Sequence, residues 1–144
     1  MKKIITTALV SALFIACGQD KATVEQAEKD VFVVHDEIMP QMGQLMEYQK
    51  ELSKEITAID SLLKIGASDS LQKRKEEALS LGSMLKEADN GMMDWMHDYK
   101  GDSLKALASD EALKAMSAEK TKIDAVKVKM TESMTKAKAF LNHD

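Results

Sequence analysis

From residue 24 the apolar positions step by three and four: Val24, Ala27, Val31, Val34, Ile38, Met42, Leu45, then past Gln49 to Leu52, Ile56, Ile59 and Leu63. That spacing keeps one helix face turned toward a core. Two steps of four run together between Val34 and Met42, which shifts the apolar seam, and they bracket Pro40. Proline removes the amide that would bond the carbonyl of Asp36, and its ring crowds that turn. The pattern predicts one long helix over about 23–65, kinked near Pro40, with two helices broken there as the alternative.

"IGASDS" (65–70) reads as a stop and a restart. Gly66 suits a left-handed C-cap, and Ser68 or Asp69 can cap the next helix. The second series is Leu71, Arg74, Ala78, Leu81, Leu85, Ala88, Met92, Trp95 and Tyr99. "KGDS" (100–103) ends it, and "LKALA" reads as a short helical piece. Ser109 is the expected N-cap of a third helix with acidic residues in its first turn. Its stripe is Leu113, Met116, Ile123, Val126, Met130, Met134 and Ala137, running to about Leu141. No alternating strand pattern occurs, so the expected fold is all-α. Amphipathic helices of this length bury their stripes only against one another. Short connections make neighbours antiparallel. The simplest assembly is an up-down-up three-helix bundle, a long helical hairpin plus a third helix. A self-associating coiled coil is the runner-up.

The amino end changes the picture of where this bundle sits. "MKK" is a basic n-region, and "IITTALVSALFIA" is an apolar run too short to span a bilayer comfortably. Cys17, the one cysteine, follows Ala16 directly. A cysteine in that place resembles the lipobox of bacterial lipoproteins, with Phe14 where leucine is commoner. The resemblance implies cleavage before Cys17 and acylation of its thiol. An ordinary signal peptide that happens to contain cysteine is the plainer alternative. The expected division is a signal peptide (1–16), an acylated Cys17 with a polar tether (17–22), and a helical domain (23–144). Cleavage removes Lys2 and Lys3, so the net charge moves from −4 to −6. That balance argues against nucleic acid and against polybasic lipid binding. The expected location is the bacterial cell envelope, on the periplasmic or cell-surface side of a membrane.

Methionine is the one unusual side chain: eleven, against six aromatics. Folding the chain about residue 67 sets Met39 near Trp95, Met42 near Met92 and His35 near Tyr99. Folding again about residue 105 brings Met116 to the level of Asp94 and Trp95. His35, Met39, Met42 and Met46 fall within about 100° on one side of Ile38. His97 points away from the core. Two readings of the convergence stand. Thioethers and imidazole suit a Cu(I)-type site, whose ligands would be His35, Met39, Met42, Met92, Met93 and Met96. Alternatively, methionine is adaptable filler in a core bent at Pro40, and Trp95 and Tyr99 are structural. The filler reading is the simpler, and it needs no cofactor. Asp36, Glu37, Asp94 and Asp98 lie near the same end, where solvated carboxylates are commoner than paired catalytic ones. No Ser–His–Asp spacing is present, and no enzymatic activity is expected.

"VVHDEIMPQMGQLM" (33–46), "EADNGMMDWMHDY" (87–99) and "EKTKIDAVKVKMTESMTKAKAFL" (119–141) resemble a group of short helical bacterial lipoproteins often called viral A-type inclusion proteins. The resemblance implies an envelope lipoprotein of unknown biochemical role and supplies no catalytic residues. Together these readings point to a lipid-anchored structural or protein-interaction module, whose partner is another protein or a second copy. The competing class is a small soft-metal or ligand carrier using the methionine-rich end.

Overall fold

The structure, a computed structural model, describes residues 16–142. The segment read as a signal peptide lies outside the described residues, apart from Ala16. The side chain of Cys17 also lies outside them. The order is α1 (Ala16–Ile38), a 3-10 turn (Met39–Gln41), α2 (Met42–Leu63), α3 (Asp69–Asp98), α4 (Gly101–Lys105) and α5 (Ser109–Leu141). Among the described residues there is no strand, so the fold is all-helical. The residues read as a tether, 17–22, form the first turns of α1.

Helix boundaries follow local chemistry. Pro40 stands inside the 3-10 turn, where the lost amide costs least. Gln41 turns its side-chain amide back to donate to the carbonyl of Glu37 at 3.2 Å, one residue beyond the carbonyl that the sequence singles out. Ser68 caps α3, its Oγ accepting from the amide of Leu71 at 3.3 Å. Two expected caps differ. Gly66 is not left-handed; instead the amides of Ile65 and Gly66 both close onto the carbonyl of Leu62, at 3.0 and 3.2 Å. Ala108, not Ser109, takes the extended N-cap conformation of α5, without a side-chain hydrogen bond. Asp110 and Glu111 still place negative charge in that first turn, where the helix dipole favours it.

The helices pack as a bundle. α1 lies on α5, α2 on α3, and α3 on α5, while the backbones of α1 and α3 scarcely approach within 8 Å. The break at Pro40 is thus a change of partner: α5 before it, α3 after it. The core is the stripe the spacing gives: Val31, Val34, Ile38, Leu45 and Leu52 against Ala78, Leu85, Ala88 and Met92, closed by Ile123, Met130 and Ala137. The stripe omits Ala112, Phe140 and Ser133, which are also buried. The Ser133 hydroxyl is satisfied by donating to the carbonyl of Met130 at 3.1 Å, which is why a polar residue survives there.

Ion pairs mark the register between helices. Arg74 Nε meets Glu55 Oε1 and Lys75 Nζ meets Asp60 Oδ1, both at 2.6 Å, tying α3 to α2. Lys127 Nζ meets Glu37 Oε2 at 2.6 Å, tying α5 to the last turn of α1. Arg74 also covers the ring of Phe140, 4.5 Å from its centroid. Partly exposed pairs of this kind contribute about 0–1 kcal/mol each, so they set alignment more than stability.

Candidate functional site

Where α1 stands off from α3, rings fill the gap. Phe32 and His35, three residues apart on α1, meet Trp95 and Tyr99, four apart at the end of α3. Same-face spacing on both helices makes the contact possible. The centroids lie 5.2 Å apart for Phe32 and Tyr99, 5.6 Å for His35 and Trp95, and 5.1 Å for Trp95 and Tyr99. Phe32 meets its neighbours edge to face, the arrangement ring quadrupoles favour. Trp95 is buried, Tyr99 and His35 are half-buried, and Phe32 forms the outer edge. The Trp95 indole N–H is buried without a hydrogen-bond partner in the protein.

Below the rings lies a polar knot joining three elements. The Tyr99 hydroxyl donates to Glu28 Oε1 at 3.2 Å and stands 3.8 Å from Met116 Sδ. Lys105 Nζ, on α4, donates to Glu28 Oε2 at 2.9 Å and pairs with Asp102 at 3.5 Å. Burial and the carboxylates of Glu28, Glu119 and Asp102 hold the Tyr99 hydroxyl well above the usual tyrosine range. The hydrogen bond to Glu28 holds the Lys105 ammonium above its ordinary value. Gly101 is pressed beneath this knot: a Cβ there would lie 2.8 Å from both Glu28 Oε1 and Tyr99 Cε1.

The simple hairpin geometry is corrected by about one turn. It places His35 beside Tyr99 and Met39 beside Trp95, whereas His35 lies on Trp95 and Phe32 on Tyr99. The end of α2 and the start of α3, Leu63 and Asp69, centre the hairpin on residue 66 rather than 67, and before the break at Pro40 α1 packs on α5 rather than on α3. Met116 likewise meets Tyr99, while Glu119 and Lys122 stand beside Asp94, Trp95 and Asp98 in a 250 Å³ groove between α3 and α5. The cause is α4, which packs on α5 and α1, so that the first turns of α5 overhang the end of α3. The Nδ1 of His35 lies 2.9 Å from the Asp36 carboxylate.

The six donors of the soft-metal reading divide by depth. Met92 is sealed in the core, His35, Met42 and Met96 are half-buried, and Met39 and Met93 are exposed. Met92 and Met93, adjacent on one helix, point about 100° apart. Among the described residues, no three His, Cys, Asp or Glu side chains gather closely enough to hold a metal ion. His97 is exposed. Sequence reasoning passes over Phe32, Glu28, Gly101 and Lys105. Phe32 carries a usable signal, being one of few aromatics and three residues from His35. The others come together only through the path of α4.

The arrangement offers contact chemistry: aromatic edges, an imidazole, and thioethers at several depths. Among the described residues, no helix is long and apolar enough to cross a membrane. No known protein family, curated protein or solved structure matches the chain.

Proposed function

We propose that the chain is a bacterial envelope lipoprotein whose helical domain, an up-down-up three-helix bundle, serves as a structural or protein-interaction module. The observation that carries this reading is the position of Cys17, directly after a basic n-region and a short apolar run. The likeness to short helical lipoproteins supports it, as does the acidic balance of the helical domain, which disfavours polyanionic partners. Two routes of test are open. Cys17→Ser should leave the protein unprocessed or free of membranes on fractionation, and mass spectrometry of the wild-type N-terminal peptide should show acyl chains on Cys17. A Cys17→Ser protein that is still processed and membrane-bound would overturn the reading.

A second reading, a soft-metal carrier, is supported by His35, Met42 and Met96 being half-buried while Met39 and Met93 reach the surface. Met92 does not belong to it, because its thioether is closed inside the core. The two readings separate on whether Cu(I) changes the protein's melting temperature.

A further inference from the structure

Three methionines are held outside the core by helical geometry. Met39, Met46 and Met93 are 37, 60 and 53% exposed. Each directly follows a sealed residue: Ile38, Leu45 and Met92. A step of one residue turns about 100° around a helix, so each thioether flanks the core line rather than joining it. Phe32, after the sealed Val31, belongs to the same flank, and its ring fixes the direction: it lies on Trp95 and Tyr99 of α3. On α3 the residue before Met92 faces α5, since a Cβ on Gly91 would lie 3.6 Å from Val126 Cγ2. Met93 therefore lies on the side away from α5. By contrast, Met92, Met116 and Met130 have no exposed surface.

Among the described residues, exposed thioethers are the softest nucleophiles, and their oxidation follows access. The geometry points to Met39, Met46 and Met93 as a modification site for two-electron oxidants of the peroxide class, a face that consumes oxidant without loss of fold. In each event a sulfur lone pair attacks one peroxide oxygen, an S–O bond forms and the O–O bond breaks. The departing hydroxide takes the proton of the transferred oxygen and leaves as water. One sulfide and one peroxide give one sulfoxide and one water, with sulfur oxidised and peroxide reduced. Sulfoxide is polar, so it is tolerated on a surface and ruinous in a core. Division by depth lets three equivalents be absorbed before the packing of Met92, Met116 and Met130 is reached.

The test is hydrogen peroxide in small excess over the full-length protein, followed by peptide mass mapping, which reads each methionine separately from Cys17. Sulfoxide should accumulate at residues 39, 46 and 93 about tenfold or more faster than at 92, 116 and 130. The melting temperature should stay unchanged while it does so. Core methionines oxidising at a comparable rate, or helical signal falling with the first three events, would overturn the inference. The Met39→Leu/Met46→Leu/Met93→Leu protein should melt as wild type does, and its methionine peptides should together gain about three fewer sulfoxides per chain in the same exposure. Methionine sulfoxide forming in it at an undiminished total rate would equally overturn the inference.

Discussion

The Tyr99 hydroxyl reaches Glu28, seventy-one residues away, across 3.2 Å. That one bond fastens the end of α3 to α1 at the point where their backbones stand apart. Tyr99→Phe keeps the ring and removes the bond. It should cost about 1 kcal/mol, below the usual range for a bond to a charged acceptor, because the site is partly exposed. Chemical denaturation of the two proteins measures it.

The same bond makes a pH prediction. The hydroxyl of Tyr99 is held above its ordinary value of 10.0 in the folded protein. The folded state therefore keeps a proton that the unfolded chain releases. This contribution is fully present below about pH 10 and is lost as pH rises beyond it. Lys105 titrates in the same direction, so the informative quantity is a difference. Above pH 10 the stability of wild type should fall more steeply than that of Tyr99→Phe. Parallel falls would show that the hydroxyl is not held as described.

Gly101→Ala should destabilise by about 1–3 kcal/mol, the usual cost of overpacking, because its Cβ meets Glu28 and Tyr99 at 2.8 Å. Gly82 is the control. It lies inside α3 with nothing within 4 Å of an added Cβ, and Gly82→Ala should stabilise by about 0.5–1 kcal/mol through helix propensity. Opposite signs from one chemical change would separate close packing from backbone entropy.

Trp95→Ala should cost about 3–5 kcal/mol, the range for deleting a core aromatic. A cost below about 1 kcal/mol would place the ring at a surface site. Trp95→Phe should cost less than about half as much, since it keeps an aromatic ring and removes an indole N–H that has no partner in the protein.

Met39→Leu combined with Met42→Leu tests filler against ligand. Leucine and methionine have similar volume, so stability should change by less than about 1.5 kcal/mol. On the carrier reading, the pair would also abolish a Cu(I) affinity tighter than micromolar, measured by titration under reducing conditions. Equal Cu(I) behaviour of both proteins would remove Met39 and Met42 from any site.

The parts of this molecule written in its sequence are those with a period. Val31, Ile38, Leu45 and Leu52, or Ala78, Leu85 and Met92, are legible because helical spacing alone sends them inward. Pro40 and Ser68 are legible because each acts on its own turn. Glu28, Gly101 and Lys105 obey no period. Their meeting depends on how far α5 overhangs α3 and on where α4 runs, which are properties of the assembled helices. The axial level of the rings sits between these cases. Periodicity selects Trp95 and His35, but a shift of one residue in the hairpin axis and the change of partner at Pro40 decide which touches which.

The change of partner at Pro40 also divides the bundle mechanically. Tension on the amino end of α1 is resisted first by its contacts with α5 and by two polar fastenings, Glu28 with Lys105 and Tyr99, and Glu37 with Lys127. The α2–α3 hairpin carries its own ion pairs and lies beyond the break. The 3-10 turn is thus the joint between a stretch whose cross-links run to α4, α5 and the end of α3 and a hairpin that carries cross-links of its own.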